Sequence, residues 1–64
     1  MTIRARVRQL RTARGLSQLA LAKLAGVSQP YLWQLEAGRK KNPGILVLRK
    51  LAKALGVPVA QLLE

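Results

Sequence analysis

Only three residues, Gly26-Val27-Ser28, separate two helix-length apolar patterns in this chain. Before them, Leu21, Ala22 and Leu24 recur at helical spacing, and after them Leu32 and Leu35 do the same. A connection that short, opened by a glycine, leaves no room for a wandering loop. It forces two helices to meet at a tight corner, with Ala22 small at the crossing and Val27, Leu32 and Leu35 on one buried side. Gly15, Gly38 and Gly56 close further periodic segments, at the place where a helix end takes a left-handed residue. No segment alternates as a strand does, and there is no internal repeat or low-complexity tract. The pattern predicts an all-α domain of five short helices.

The first helix is expected over residues 3–14, with Thr2 as N-cap and Ile3, Val7 and Leu10 on its inner face. Ser17 caps a second helix that ends near Ala25 and buries Leu21, Ala22 and Leu24. Ser28 caps a third, with Pro30 in its first turn, where a missing N–H costs little. Residues 38–44 read as an irregular loop. The fourth helix, 45–55, turns Ile45, Leu48, Leu51, Ala52 and Leu55 inward, and a last turn over 58–63 closes the core with Val59 and Leu62.

Composition narrows the chemistry. Residues 1–64 are expected to form a single domain, without room for a separate inducer-binding or oligomerisation domain. Half the residues are apolar but only Tyr31 and Trp33 are aromatic, so the core must be aliphatic. With no Cys and no His, neither a disulfide framework nor a zinc site of the usual kinds can form, and no metal or cofactor is expected. The two acids, Glu36 and the terminal Glu64, do not make a catalytic carboxylate pair. Ser17 and Ser28 are better explained as caps than as nucleophiles, so no catalytic residue is assigned and an enzyme is not expected. The basic start is not followed by the apolar stretch of a secretory signal, and the longest apolar runs, 19–22 and 45–48, are four residues each. A cytoplasmic protein is expected. Twelve Lys and Arg against two acids give a net charge of +10, which attracts polyanions: nucleic acid or an anionic membrane surface. The arginines at 4, 6, 8, 11 and 14 read as spread around the first helix rather than gathered on one side, which argues against the membrane.

The short corner is that of a helix-turn-helix unit over about residues 17–37, although a plain helical hairpin would also need a turn and an apolar face. Three motifs decide further: Leu16-Ser17-Gln18, Ala25-Gly26-Val27-Ser28-Gln29 and Leu35-Glu36-Ala37-Gly38-Arg39, followed by Asn42-Pro43 and Leu51-Ala-Lys-Ala-Leu-Gly-Val57. Correctly spaced over residues 3–63, they resemble the phage-repressor and Cro-like, Xre-type helix-turn-helix family. The resemblance implies a lambda-repressor-like five-helix domain that regulates transcription by binding double-stranded DNA. It implies a symmetric homodimer on a palindromic site, with a recognition helix over residues 28–37 in the major groove.

Carried over position by position, the resemblance makes Ser28, Gln29, Pro30, Trp33 and Gln34 the outward, base-reading face. Gln29 and Gln34 lead, since a Gln amide donates and accepts together at an adenine edge. Gln18 matches the family's phosphate-clamping glutamine at the start of the second helix. Arg39, Lys40, Lys41 and Asn42, in the loop after the third helix, would grip the phosphate backbone, with Lys23 a further candidate. Arg11 and Glu36 match an internal ion pair between the first and third helices. The family's dimer contact falls here on Leu46, Val57, Pro58 and Gln61.

The chain departs from the family in four places. Leu19 and Ala20 stand where acids are common, and Leu46 and Val47 where polar residues are. Trp33 replaces a small polar residue and has two uses open to it: contact with a thymine methyl or sugar, or folding back on the domain. Pro58 stands where an N-cap is usual. The apolar departures, with Leu46 and Val47 read as exposed, keep a second function open: an antitoxin-like or accessory module that binds a protein partner.

Overall fold

Each of the first three helices begins on a hydroxyl that the sequence sets one residue ahead of it. Thr2 Oγ1 accepts from the Ala5 N–H at 3.3 Å, Ser17 Oγ from Ala20 at 3.0 Å and Ser28 Oγ from Tyr31 at 3.1 Å. The computed structural model describes residues 2–39 and 43–63. They form α1 (Ile3–Ala13), α2 (Gln18–Ala25), α3 (Gln29–Glu36), α4 (Ile45–Leu55) and α5 (Ala60–Leu63), and among the described residues there is no strand. α4 starts from Gly44 without a side-chain cap.

The corner between α2 and α3 is made by Gly26, at φ 72° and ψ 31°. Its N–H donates to the Lys23 carbonyl at 3.3 Å, and the Val27 N–H reaches back to Ala22 at 3.0 Å, the paired bonds of a Schellman end. A residue with a Cβ is strained at that φ, so the reversal depends on glycine. α1, α3 and α4 end on the same two bonds, with Leu16, Arg39 and Val57 as the residues after the glycine.

α2 packs against both α3 and α4, while α1 crosses α3, α4 and α5. The buried residues are Val7 of α1, Leu21, Ala22 and Ala25 of α2, Leu32 and Leu35 of α3, Leu48, Leu51, Ala52 and Leu55 of α4, and Leu62 of α5. All are aliphatic, so a sequence with two aromatics still closes a core. Ile3, Leu10, Leu16, Val27, Tyr31, Val57 and Val59 pack around its edge.

Four expectations need correction. Leu24 is 63% exposed, because the inward stripe of α2 runs through 21, 22 and 25 and leaves residue 24 on its flank. Ile45 is 52% exposed although it shares the phase of Leu48, because the core against α4 begins one turn later. Val47, expected outside with Leu46, is half-buried against the core. α5 begins at Ala60 instead of near Pro58. Residues 58–62 are first wound by three-residue bonds, Gln61 N–H to Pro58 and Leu62 N–H to Val59, tighter than an α-helix.

Leu21 and Leu24, three residues apart on α2, therefore separate burial from hydrophobicity. Leu21→Ala should cost about 2–5 kcal/mol, whereas Leu24→Ala should stay within about 0.5 kcal/mol of the parent. Thermal melts followed by circular dichroism check this, at roughly 4–8 °C per kcal/mol for so small a domain.

Candidate nucleic-acid interface

One side of α3 is core and the other is open. Leu32 and Leu35 are at most 1% exposed, while Gln29 and Pro30 in the first turn and Trp33 one turn on are exposed. Ser28 is exposed too, with its oxygen engaged as the cap of α3. Gln34, expected on this outward face, is half-buried, because it lies one residue closer to the Leu35 side.

Behind this face stands the carboxylate of Glu36, its side chain 5% exposed at the end of α3. Arg11 of α1 meets it with two bonds, Nε to Oε2 at 2.7 Å and Nη2 to Oε1 at 2.9 Å, a bidentate arrangement. The third donor, Nη1, goes to the Leu16 carbonyl at 2.8 Å. Gln18, the first residue of α2, donates its Nε2 to Glu36 Oε1 at 3.2 Å. One of its amide hydrogens is thereby committed inside the protein, which holds the side chain at the start of α2.

Arg39 is exposed just beyond α3, its guanidinium carbon 5.3 Å from the centre of the Trp33 ring. Lys40, Lys41 and Asn42 lie outside the described residues. Lys23 is exposed in the last turn of α2, at the opposite end of that helix from Gln18. Away from this face, Leu46 is 67% exposed, Pro58 and Gln61 are exposed, and Val57 is half-buried.

The arginines of α1 are less scattered than their positions along the chain suggest. Arg4, Arg8 and Arg11 follow the i, i+4, i+7 rule and face the end of α3 together. The Arg4 guanidinium lies against Gly38, where a Cβ would collide with it. Arg8 lines a cleft of about 290 Å³ with Arg11, Gln18, Trp33, Glu36 and Ala37. The spacing is visible in the sequence; the surface that α1 lies against is not. Among the described residues no cluster of side chains suits a metal ion, and no helix is long and apolar enough to cross a membrane.

Two helices meeting at a three-residue corner, the second with its N-terminal half open, define a helix-turn-helix domain. A helix-turn-helix family model matches residues 7–62, and the chain belongs to that family. It is 46% identical over 59 residues to the HTH-type transcriptional regulator DdrOP3 of Deinococcus deserti, covering 92% of this chain and 45% of that protein. It is 39% identical over 59 residues to the HTH-type transcriptional regulator SinR of Bacillus subtilis, covering 92% of this chain and 53% of that protein. The chain thus spans about half the length of these curated relatives. The crystal structure of SinR, a master regulator for biofilm formation, in complex with DNA superposes with a TM-score of 0.95 at 38% identity. That match covers 98% of this chain and 100% of the SinR chain.

Removing one partner from a buried, hydrogen-bonded pair is expected to cost about 3–5 kcal/mol, more than replacing both with apolar residues. Glu36→Gln should therefore lower the melting temperature strongly, and Arg11→Met combined with Glu36→Leu should lower it less. An unchanged melting curve for Glu36→Gln would overturn the structural role of the pair.

Proposed function

We propose that the chain binds double-stranded DNA sequence-specifically and acts as a transcriptional regulator of the repressor type. The open N-terminal half of α3 carries this reading, because an α-helix fits the major groove and its first turns reach base edges. Likeness to a SinR chain crystallised with DNA supports it. In this reading Gln29 is the principal reader, its amide matching adenine N7 and N6. Gln34 contributes through its exposed part, and Ser28, Pro30 and Trp33 complete the contact surface.

Affinity is supplied by charge. Arg39, Lys40, Lys41, Asn42 and Lys23 are assigned to the phosphate backbone, with Gln18 using its remaining amide hydrogen at the start of α2. Neutral glutamines thus discriminate while cations hold and register. The protein works at the nucleoid, in the cytoplasm, as a homodimer on a palindromic site, joined through Leu46, Val57, Pro58 and Gln61. The second reading, a protein partner of antitoxin or accessory kind, is favoured by the exposure of Ile45 and Leu46. It is compatible with DNA binding.

Selection of bound sites from random duplex DNA at a stated salt concentration tests the proposal and yields half-site sequence, spacing and symmetry together. Gln29→Ala is expected to relax the preference at one position of each half-site, by about 1–3 kcal/mol of discrimination. Lys40→Ala should weaken all sequences alike and reduce the salt slope by about 0.9. Unaltered preference in Gln29→Ala would show that another residue reads the base.

A further inference from the structure

Four helices end on the same pair of backbone bonds, and one of them differs in the residue after its glycine. Gly15, Gly26 and Gly56 are succeeded by Leu16, Val27 and Val57, each packed against the core. This is the apolar contact that commonly accompanies a Schellman end. At the end of α3 the bonds are again present, Gly38 N–H to Leu35 at 3.1 Å and Arg39 N–H to Gln34 at 2.8 Å. The residue in the apolar position is here Arg39, and it lies over Trp33, one residue before the carbonyl that its own N–H bonds. A cation–π contact replaces the apolar one.

We infer that Trp33 is a positioning residue that holds the Arg39 guanidinium, pre-ordered, for a DNA phosphate beside the recognition helix. The inference rests on the DNA-binding reading above. Its chemistry comes from the shape of the two groups. The contact with the ring face uses no hydrogen-bond acceptor, so the N–H donors of the planar guanidinium fork remain available for a bidentate bond to phosphate oxygens. Glu36, the only acid among the described residues, is already bonded to Arg11 and Gln18, so it does not draw Arg39 inward. The Schellman bonds fix the Arg39 backbone, and the indole restricts the side chain, so less freedom is lost when a phosphate is bound. Trp33 thus contributes to affinity for every sequence and leaves discrimination to Gln29 and Gln34.

The test is a double-mutant cycle on Trp33 and Arg39, read by fluorescence anisotropy. The probes are the duplex recovered by site selection and an unrelated duplex of equal length, over a salt series. Arg39→Ala should weaken both duplexes and lower the salt slope by about 0.9. Trp33→Ala should weaken both by a similar factor, roughly two- to fivefold, the range of an exposed cation–π contact. Trp33→Phe should recover most of that loss, and Trp33→Ala should add nothing once Arg39 is alanine. Circular dichroism melts confirm that each variant is folded. In the free protein, Arg39→Ala should increase quenching of the single tryptophan by acrylamide. A Trp33→Ala loss that persists in the Arg39→Ala background, or one confined to the selected duplex, overturns the positioning role while DNA binding stands. A wild-type protein that binds neither duplex overturns both readings.

Discussion

The carboxylate of Glu36 is the point at which the architecture is tied together. Two Arg11 donors and one from Gln18 converge on it, and the remaining Arg11 donor holds the Leu16 carbonyl. One acid therefore joins α1, the α1–α2 turn, the start of α2 and the end of α3. A domain of 64 residues has a total stability of only about 3–10 kcal/mol at the usual 0.05–0.15 kcal/mol per residue. A buried charge left unpartnered would consume much of that. The pair does more than resist unfolding: it sets α3 against α1 while leaving the outer half of α3 uncovered.

Around that tie the charges separate into different tasks. Arg11 is internal, Arg4 lies on the backbone at Gly38, and Arg39 stands on Trp33 beside the exposed helix face. The face itself is formed by neutral residues, Gln29, Pro30 and Trp33. This division suits a surface that must be attracted to a polyanion and still distinguish one base sequence from another. The excess of positive charge that made the composition unusual is thus compatible with folding because the core asks nothing of it. The core is purely aliphatic, and Arg11, whose side chain is only 12% exposed, has its counter-charge in Glu36.

Local chemistry made the helix boundaries legible. Thr2, Ser17 and Ser28 cap because their hydroxyls reach an N–H three residues on, and the glycines end helices because the next N–H turns back on the same segment. Spacing brought out the corner at Gly26, whereas the partnership of Arg11 with Glu36 was implied only by the family resemblance. Periodicity was a poorer guide to burial. It gives the direction of a side chain around its helix, but not how far a neighbouring helix extends to cover it. Ile45 is therefore exposed although it lies in phase with Leu48, while Leu24 lies on the flank of the buried stripe of α2.

The amino-acid sequence by itself determined that there are five helices, that α2 and α3 meet at a sharp angle, and which side of α3 is apolar. These depend on interactions within a few residues. Only the tertiary structure decided that Gln18 is bonded to Glu36, that Arg4, Arg8 and Arg11 line the end of α3, and that Val47 lies inward while Ile45 does not. Each of those depends on segments far apart in the chain meeting at a particular height and angle. That is set by how the aliphatic side chains of several helices fill one volume, which no single segment specifies.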